Sequence, residues 1–234
     1  MQKNAKLKAL SAAFPHTVPI FAGFWFLSLA YGIMMNSMGF SFVYPMLMSM
    51  TIYGGSLEFV AASMLLSSFS PLTAFVTSLL IQARHIFYGL SMLENLKGIG
   101  KKRWYIIFGM CDETFSVNYS ADIPPDVDKG WFMFFVTLLN QFYWVSGATV
   151  GGLLGSVLSF DTTGLDFVMT AMFTVIFIEQ WRKEKRHFSA YIGIISSLLC
   201  LIIFGKDSFL IPSMALILVI LTVFKKKFSK AVEE

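Results

Sequence analysis

Apolar residues in this chain come in long runs, with polar residues mostly confined to short breaks between them. The runs are Phe14–Met35, Phe42–Ser67, Pro71–Leu93, Trp104–Tyr119, Gly130–Ser159, Gly164–Trp181, Phe188–Phe204 and Ser208–Phe224. A helix needs about 20 apolar residues to cross bilayer hydrocarbon, and most of these runs reach or approach that length. The breaks are too short to separate domains, so residues 1–234 are expected to form a single transmembrane domain. The expected fold class is all-α, a polytopic transmembrane helical bundle of about six to eight membrane segments.

Two of the runs are not plain spans. Tyr53-Gly54-Gly55-Ser56 interrupts the run over 42–67, and paired glycines weaken a helix by about 1 kcal/mol each. The run over 104–119 is only 16 residues long and contains Asp112-Glu113. Broken or re-entrant segments are expected at both places. Irregular backbone at membrane depth is tolerated only where it lines a cavity or is buried in protein.

Composition sharpens the class. The chain is 56% hydrophobic and 14% charged, where ordinary soluble domains carry roughly 25% charge. The net charge of +4 does not signal nucleic acid, because the basic residues sit in clusters between apolar runs. Lys3, Lys6 and Lys8 precede the first run; Arg182, Lys183, Lys185 and Arg186 follow the sixth; Lys225, Lys226, Lys227 and Lys230 follow the last. The loops at Asp161–Asp166 and Asp207 are acidic or nearly neutral. The positive-inside rule then places both termini in the cytoplasm, in a multi-pass protein of the cell membrane. Lys97, Lys101, Lys102 and Arg103 obey the rule only if the two broken segments each enter and leave on one side, and that topology is preferred here over eight simple crossings. Cys111 and Cys200 are isolated in apolar runs and suggest neither a disulfide framework nor a zinc site; no metal or cofactor is expected, and no cleavable signal peptide is evident.

Glu58, Arg84, His85, Asp112 and Glu113 lie deep inside apolar runs. On insertion scales an arginine at a helix centre costs about 2.5–3.5 kcal/mol, so such residues face a protein interior or a watery cavity and find partners there. Convergence is the economical arrangement: Arg84 pairs with one or two of the carboxylates, while His85 and a remaining acid are free to exchange protons. A helix restarting after Gly54-Gly55 presents backbone N–H groups and a positive dipole end, which transporters use to hold anionic groups near the midplane. Ser56 adds a hydroxyl, and Glu58 either caps that helix end or faces an ammonium. Such a site suits a zwitterion. Along the third run, Arg84 and Tyr88 share a helical face. The substrate-binding set expected is thus Gly54, Gly55, Ser56, Glu58, Arg84 and Tyr88, with His85, Asp112 and Glu113 as proton-coupling groups. Asn140 and Gln141 are expected to join helices by hydrogen bonds, and the glycine-rich run over 147–155 to permit close helix packing.

These residues resemble the AzlC-type branched-chain amino-acid permease family. Phe21-Ala22-Gly23 through Leu29-Ala30-Tyr31-Gly32 resembles its first-helix pattern. Tyr53-Gly54-Gly55-Ser56-Leu57-Glu58-Phe59 resembles a small-Gly-Ser-x-Gln-Phe motif. Gln82-Ala83-Arg84-His85-Ile86-Phe87-Tyr88-Gly89 resembles Asn-x-Arg-His-x-x-Tyr-Gly, and Cys111-Asp112-Glu113-Thr114-Phe115 resembles Thr-Asp-Glu-x-Phe. Glu58, Gln82 and Cys111 depart from that pattern. The resemblance implies export of leucine, isoleucine, valine and related analogues, together with a small membrane partner of the AzlD type. The function expected is therefore a secondary transporter moving a hydrophobic amino acid outward, driven by proton entry, and not an enzyme. No nucleotide-binding motif is present. The alternatives are a transporter or channel for another small zwitterion or ion, an accessory subunit, and an intramembrane enzyme built on a Ser56–His85 dyad.

Overall fold

A computed structural model describes residues 2–67, 70–157, 174, 177–178, 181–182, 187–205 and 209–223. The expected span Gly164–Trp181, apart from isolated positions, the acidic loops, and Lys183, Lys185, Arg186, Lys225, Lys226, Lys227 and Lys230 lie outside the described residues. All regular elements among the described residues are α-helices. The chain divides into two compact units, Met1–Met169 and Thr170–Glu234. The first unit holds α1 (Gln2–Ser37), α2 (Val43–Thr51), α3 (Ser56–Leu66), α4 (Pro71–Ile81), α5 (Arg84–Met92), α6 (Lys102–Phe108), α7 (Asp112–Ser120) and α8 (Lys129–Val157). The second holds α9 (Phe188–Phe204) and α10 (Leu210–Val223), which are apolar and pack on each other. One described helix, Asn4–Ser37, is long and apolar enough to cross a membrane unbroken.

The scaffold of the first unit is the pair α1 and α8. They run parallel: His16 meets the ring of Phe132, Phe24 meets Trp144, Ser28 abuts Gly147, Leu29 abuts Gly151 and Asn36 abuts Gly155. The glycines explain the closeness. A Cβ on Gly151 would lie 2.9 Å from the Leu29 carbonyl carbon, and one on Gly32 would lie 2.9 Å from the Gly151 carbonyl carbon. Without acyl-chain water to expel, helices in lipid associate through such close backbone approach. Pro15 and Pro19 do not end α1, although each removes a helix hydrogen bond. Around them the Thr17 hydroxyl donates to the Phe14 carbonyl (3.0 Å) and also meets Tyr143 Oη on α8 (3.2 Å).

Two helical hairpins pack on this scaffold from opposite ends. Phe42 lies beside Gly152 and Gln141 Nε2 reaches the Met50 carbonyl, so α2 descends from the C-terminal end of α8 to its middle. The chain breaks over 52–55, and α3 turns back: the Phe59 ring packs at a tilt on Tyr31, whose hydroxyl also meets Met48 of α2. The second hairpin comes from the N-terminal end. Ile106 of α6 packs with Ala13, Met92, Leu96 and Phe132 in a buried cluster, Gly109 abuts Thr137 at the break over 109–111, and Val117 at the far end of α7 rejoins the same cluster. Both segments expected to be broken, 42–67 and 104–119, are therefore broken, and each returns to the end of the α1–α8 pair from which it entered.

The run Pro71–Leu93 differs from expectation. It was expected to be one helix, and it is two, interrupted at Gln82-Ala83. The turn tightens there: Ala83 N–H bonds the Leu80 carbonyl (3.3 Å) and His85 N–H bonds the Gln82 carbonyl (2.9 Å), both in the i→i−3 pattern. Side chains pulled in two directions account for it. Gln82 is drawn to the first hairpin and Arg84 to the second.

The end of the unit that carries the N-terminus also gathers loops. Lys6 and Lys102 both lie over the Trp131 ring, at 4.4 and 4.5 Å from its centroid. Lys8 pairs with Asp126 at 2.6 Å, and Lys102 with Asp128 at 3.7 Å. The loops around 94–103 and 121–128 thus share one end with residues 4–8.

Candidate functional site

The three interruptions meet one another near the middle of α8. Gln82 Nε2 donates to the Gly54 carbonyl (3.1 Å), joining the first break to the second. Arg84 Nη1 lies 2.8 Å from Asp112 Oδ2, joining the second to the third. Tyr53 Oη approaches Cys111 Sγ at 3.9 Å, joining the third to the first. Each break supplies a helix start, and each start carries the unusual residues: Ser56 and Glu58 on α3, Arg84 and His85 on α5, Asp112 and Glu113 on α7. Tyr53 and Gly55 both sit at positive φ (45° and 47°). Glycine adopts that backbone freely, whereas tyrosine pays a conformational penalty, so the surrounding contacts hold Tyr53 there.

Arg84 is the cation of the site. Asp112 takes its charge through Oδ2 and accepts a hydrogen bond from Tyr88 Oη on Oδ1 at 2.9 Å. The Arg84 and Asp112 side chains remain 35% and 24% exposed, so the pair is neither sealed in protein nor free on a surface. The Tyr88 ring stacks on Phe115 at 4.5 Å, which fixes its hydroxyl over the acid. His85 lies edge-on to Tyr88, and its Nδ1 is 3.2 Å from the Gln82 carbonyl.

Glu58 is elsewhere, and completely buried. Its Oε1 accepts from the Gly54 N–H (3.1 Å), and the indole N–H of Trp144 on α8 reaches both carboxylate oxygens (3.0 and 3.1 Å). The helix start after Gly54-Gly55, expected to attract a substrate carboxylate, is occupied by the chain's own carboxylate. Of the two roles considered for Glu58, the cap is the one observed. Ser56 is buried beside it at 5% exposure. Glu113 sits next to Cys111 and within electrostatic reach of Tyr53. Among the described residues Arg84 pairs with Asp112, and neither Glu58 nor Glu113 makes an ion pair. His85 Nδ1 faces the Gln82 carbonyl, and among the described residues no hydrogen bond joins His85 to Ser56.

Trp144 was not anticipated. Its spacing from Asn140 puts both on one helical face, the face that bears on the breaks. Asn140 Nδ2 donates to Thr114 Oγ1 (3.1 Å), which in turn meets Cys111 Sγ (3.1 Å). Gln141, on a neighbouring face, holds Met50 and accepts from Tyr105 Oη. The expected bonding roles of Asn140 and Gln141 are thus filled against α7 and against α2 and α6. Several buried polar atoms here have no protein partner: Gln82 Oε1, Arg84 Nε, Asn140 Oδ1 and both polar atoms of the Asn118 amide. Orphans at this burial call for water or a ligand. Among the described residues no cluster of histidine, cysteine and acid suits a metal.

All of these residues fall in one conserved-domain match: the family described as "AzlC protein" covers residues 19–158, more than half of the chain. The chain belongs to the AzlC family. It is 58% identical over 99% of its length to the branched-chain amino acid transport protein AzlC of Bacillus subtilis, 91% of which is covered. It is also 51% identical to an uncharacterized membrane protein of Haemophilus influenzae, over 98% of this chain and 95% of that one. A more distant relative, 38% identical over 94% of this chain and 97% of its own length, is an uncharacterized membrane protein of Helicobacter pylori. No solved structure matches. With helices as its regular elements among the described residues, and with its hydropathy, this AzlC-family chain is a helical membrane protein whose interrupted segments carry Glu58, Arg84, His85, Asp112 and Glu113.

Proposed function

We propose that this protein exports branched-chain amino acids, leucine, isoleucine, valine and their analogues, in exchange for protons, as the large subunit of an exporter completed by a small AzlD-type membrane partner. The observation that carries the reading is the Arg84–Asp112 pair: two opposite charges, partly exposed, at the point where three helix interruptions meet. A zwitterion matches such a pair charge for charge. Its carboxylate takes Arg84, its ammonium takes Asp112, and neither protein charge is left bare in a low-dielectric site. Tyr88 steers the acid, and the peptide groups of Gly54, Gly55 and Ser56, tied to Gln82 and Glu58, form the adjoining wall. Glu113 and His85, which make no ion pair among the described residues, are the groups assigned to the proton. The 58% identical Bacillus subtilis transport protein supports the substrate class.

Orientation follows from charge. Lys6, Lys8, Lys102 and Lys129 gather at the end that carries the N-terminus, so that end faces the cytoplasm. The hairpin α2–α3 then dips in from outside and α6–α7 from the cytoplasm, with both termini inside the cell.

Efflux of labelled leucine from cells producing this chain, with and without the small partner, at two external pH values, tests the reading. Leucine efflux that needs both chains and speeds up as the outside is acidified is the expected result. Efflux indifferent to leucine, isoleucine and valine in the presence of the partner would overturn the substrate; an ohmic current without saturation would make the protein a channel.

A further inference from the structure

The two hairpins are related by more than shape. Tyr53-Gly54-Gly55-Ser56-Leu57-Glu58 at the first break lines up with Phe108-Gly109-Met110-Cys111-Asp112-Glu113 at the third: aromatic, glycine, a small thiol or hydroxyl residue and glutamate fall at the same spacing. The helices before them match as well. Tyr31-Gly32-Ile33-Met34-Met35 near the end of α1 lines up with Tyr88-Gly89-Leu90-Ser91-Met92 at the end of α5. The structure makes a similar contact in each half, one residue out of register: the Tyr31 ring packs on Phe59 of α3 at 5.1 Å, directly after Glu58, and the Tyr88 ring on Phe115 of α7 at 4.5 Å, two residues after Glu113. The two halves also run in opposite senses. The first hairpin enters from the C-terminal end of α8 and the second from its N-terminal end, and their tips touch through Tyr53 and Cys111. Related units of opposite sense around a central site are the architecture of alternating access, in which one half closes as the other opens.

We infer that α1 with α2–α3 and α4–α5 with α6–α7 form an inverted pair whose glutamates, Glu58 and Glu113, are equivalent, and that Trp144 is the positioning residue that seals the first hairpin in the conformation seen here. The asymmetry between the halves supports it. Glu58 is fully buried under the Trp144 indole, and Ser56 is 5% exposed. Across the tips, Arg84 and Asp112 are 35% and 24% exposed, and a charged pair at that depth is exposed to water, not to acyl chains. On this inference the first hairpin is the closed half, toward the C-terminal end of α8, and the Arg84–Asp112 half is the open one, toward the end that carries the N-terminus. No sequence counterpart of Trp144 is needed: α8 serves both halves, presenting Trp144 to Glu58 and Asn140 to Thr114.

The inference goes beyond the transport reading, and its test uses no substrate, so either can fail alone. Two single-thiol chains are made, both lacking Cys200: one keeps Cys111, and the other carries Ser56→Cys with Cys111→Ser. A membrane-impermeant thiol reagent is applied from each side of oriented vesicles. Cys111 should react from the N-terminal side. The thiol at position 56 should react slowly, and only from the opposite side. Trp144→Phe keeps an aromatic ring and removes the donor; it should speed labelling at position 56 about tenfold, as expected for loss of a buried hydrogen bond, and leave the side unchanged. Should that chain fail to fold, Glu58→Gln weakens the same bonds from the other partner and carries the same expectation. Labelling of both thiols from one side would overturn the inverted pair; an unchanged rate at position 56 in the folded variant would overturn the role of Trp144.

Discussion

The α1–α8 pair and the broken hairpins solve the same problem, burial of helix backbone in an apolar medium, in opposite ways. Along α1 and α8 the contact centres on glycine against backbone, with Gly151 pressed on Leu29 and Gly32 on Ala148, Gly151 and Gly152, while Gly147 and Gly155 make room for Ser28 and Asn36. At the breaks it is made of single polar bonds, Gln82 to Gly54, Arg84 to Asp112, Trp144 to Glu58, with orphan polar atoms among them. Backbone packing leaves no alternative arrangement at similar energy. A polar network with spare donors and acceptors does, because each bond can be exchanged for another or for water. The difference identifies the rigid and the adaptable part of the molecule before any motion is measured.

The strongest way to break that comparison is to crowd the rigid half. Gly151→Leu drives a side chain into the Leu29 backbone, which cannot step aside as a flexible side chain could. Overpacking of this kind costs about 1–3 kcal/mol, and more where backbone must shift. The expected outcome is loss of folded protein, seen as a lost monodisperse peak in detergent. Gly89→Ala is the control: nothing lies within 4 Å of the added Cβ on α5, so the variant should fold as well as the parent. Equal behaviour of the two would mean that α1 and α8 are not the scaffold.

Next in size is the ion pair. Arg84→Gln should abolish amino-acid transport while leaving insertion and folding nearly intact, because the pair is partly exposed and Asp112 keeps its bond from Tyr88. Combining it with Asp112→Asn should restore more thermal stability than either change alone allows, since removing both charges spares the cost of an unpaired one. Transport should stay lost in the double variant. Retained leucine efflux in Arg84→Gln would remove this pair from the site.

Much of this was legible in the chain. Paired glycines at 54–55 and adjacent acids at 112–113 announce breaks, because neither belongs in an uninterrupted apolar helix. The clustering of Lys102 with Lys6 around Trp131 agrees with the folding-back that the positive charges of 97–103 demand. The interruption at Gln82-Ala83 was illegible, since neither residue is a helix breaker and the cause is the pull of partners on other segments. Nor could spacing say which acid takes Arg84, because the three candidates lie on two separate segments and only tertiary packing ranks them. Trp144 was hidden for a third reason: among many aromatic residues in apolar runs, nothing local distinguishes one whose N–H meets a buried acid.

A smaller effect belongs to Gln82. Gln82→Ala removes the bond to the Gly54 carbonyl and leaves that acceptor bare, at a cost of about 1 kcal/mol or somewhat more. It also relieves the pull that tightens the turn. Thermal stability should fall slightly, and helix content over 81–84, followed by amide hydrogen exchange, should rise. Gln82→Asn, too short to span the gap, should behave like alanine. A turn that stays interrupted in both variants would assign the break to Arg84 and Asp112 alone.

The smallest effect is expected at the end of the unit, where Lys8 and Asp126 pair in full contact with solvent. The hydrogen bond from Lys8 holds the Asp126 carboxyl below its ordinary range. A group whose pKa is lower when folded adds stability above its unfolded value, about 3.9 for aspartate, and loses it as pH falls through the folded one. Lys8→Ala should therefore lower the melting temperature slightly at neutral pH and low salt, and the difference from the parent should vanish in acid. It should shrink in concentrated salt as well, because exposed pairs are screened. A difference that survives both acid and salt would mean that Lys8 acts through its methylene chain against the bundle. The contrast with Arg84 would then sharpen, since only the inner pair would owe its place to charge.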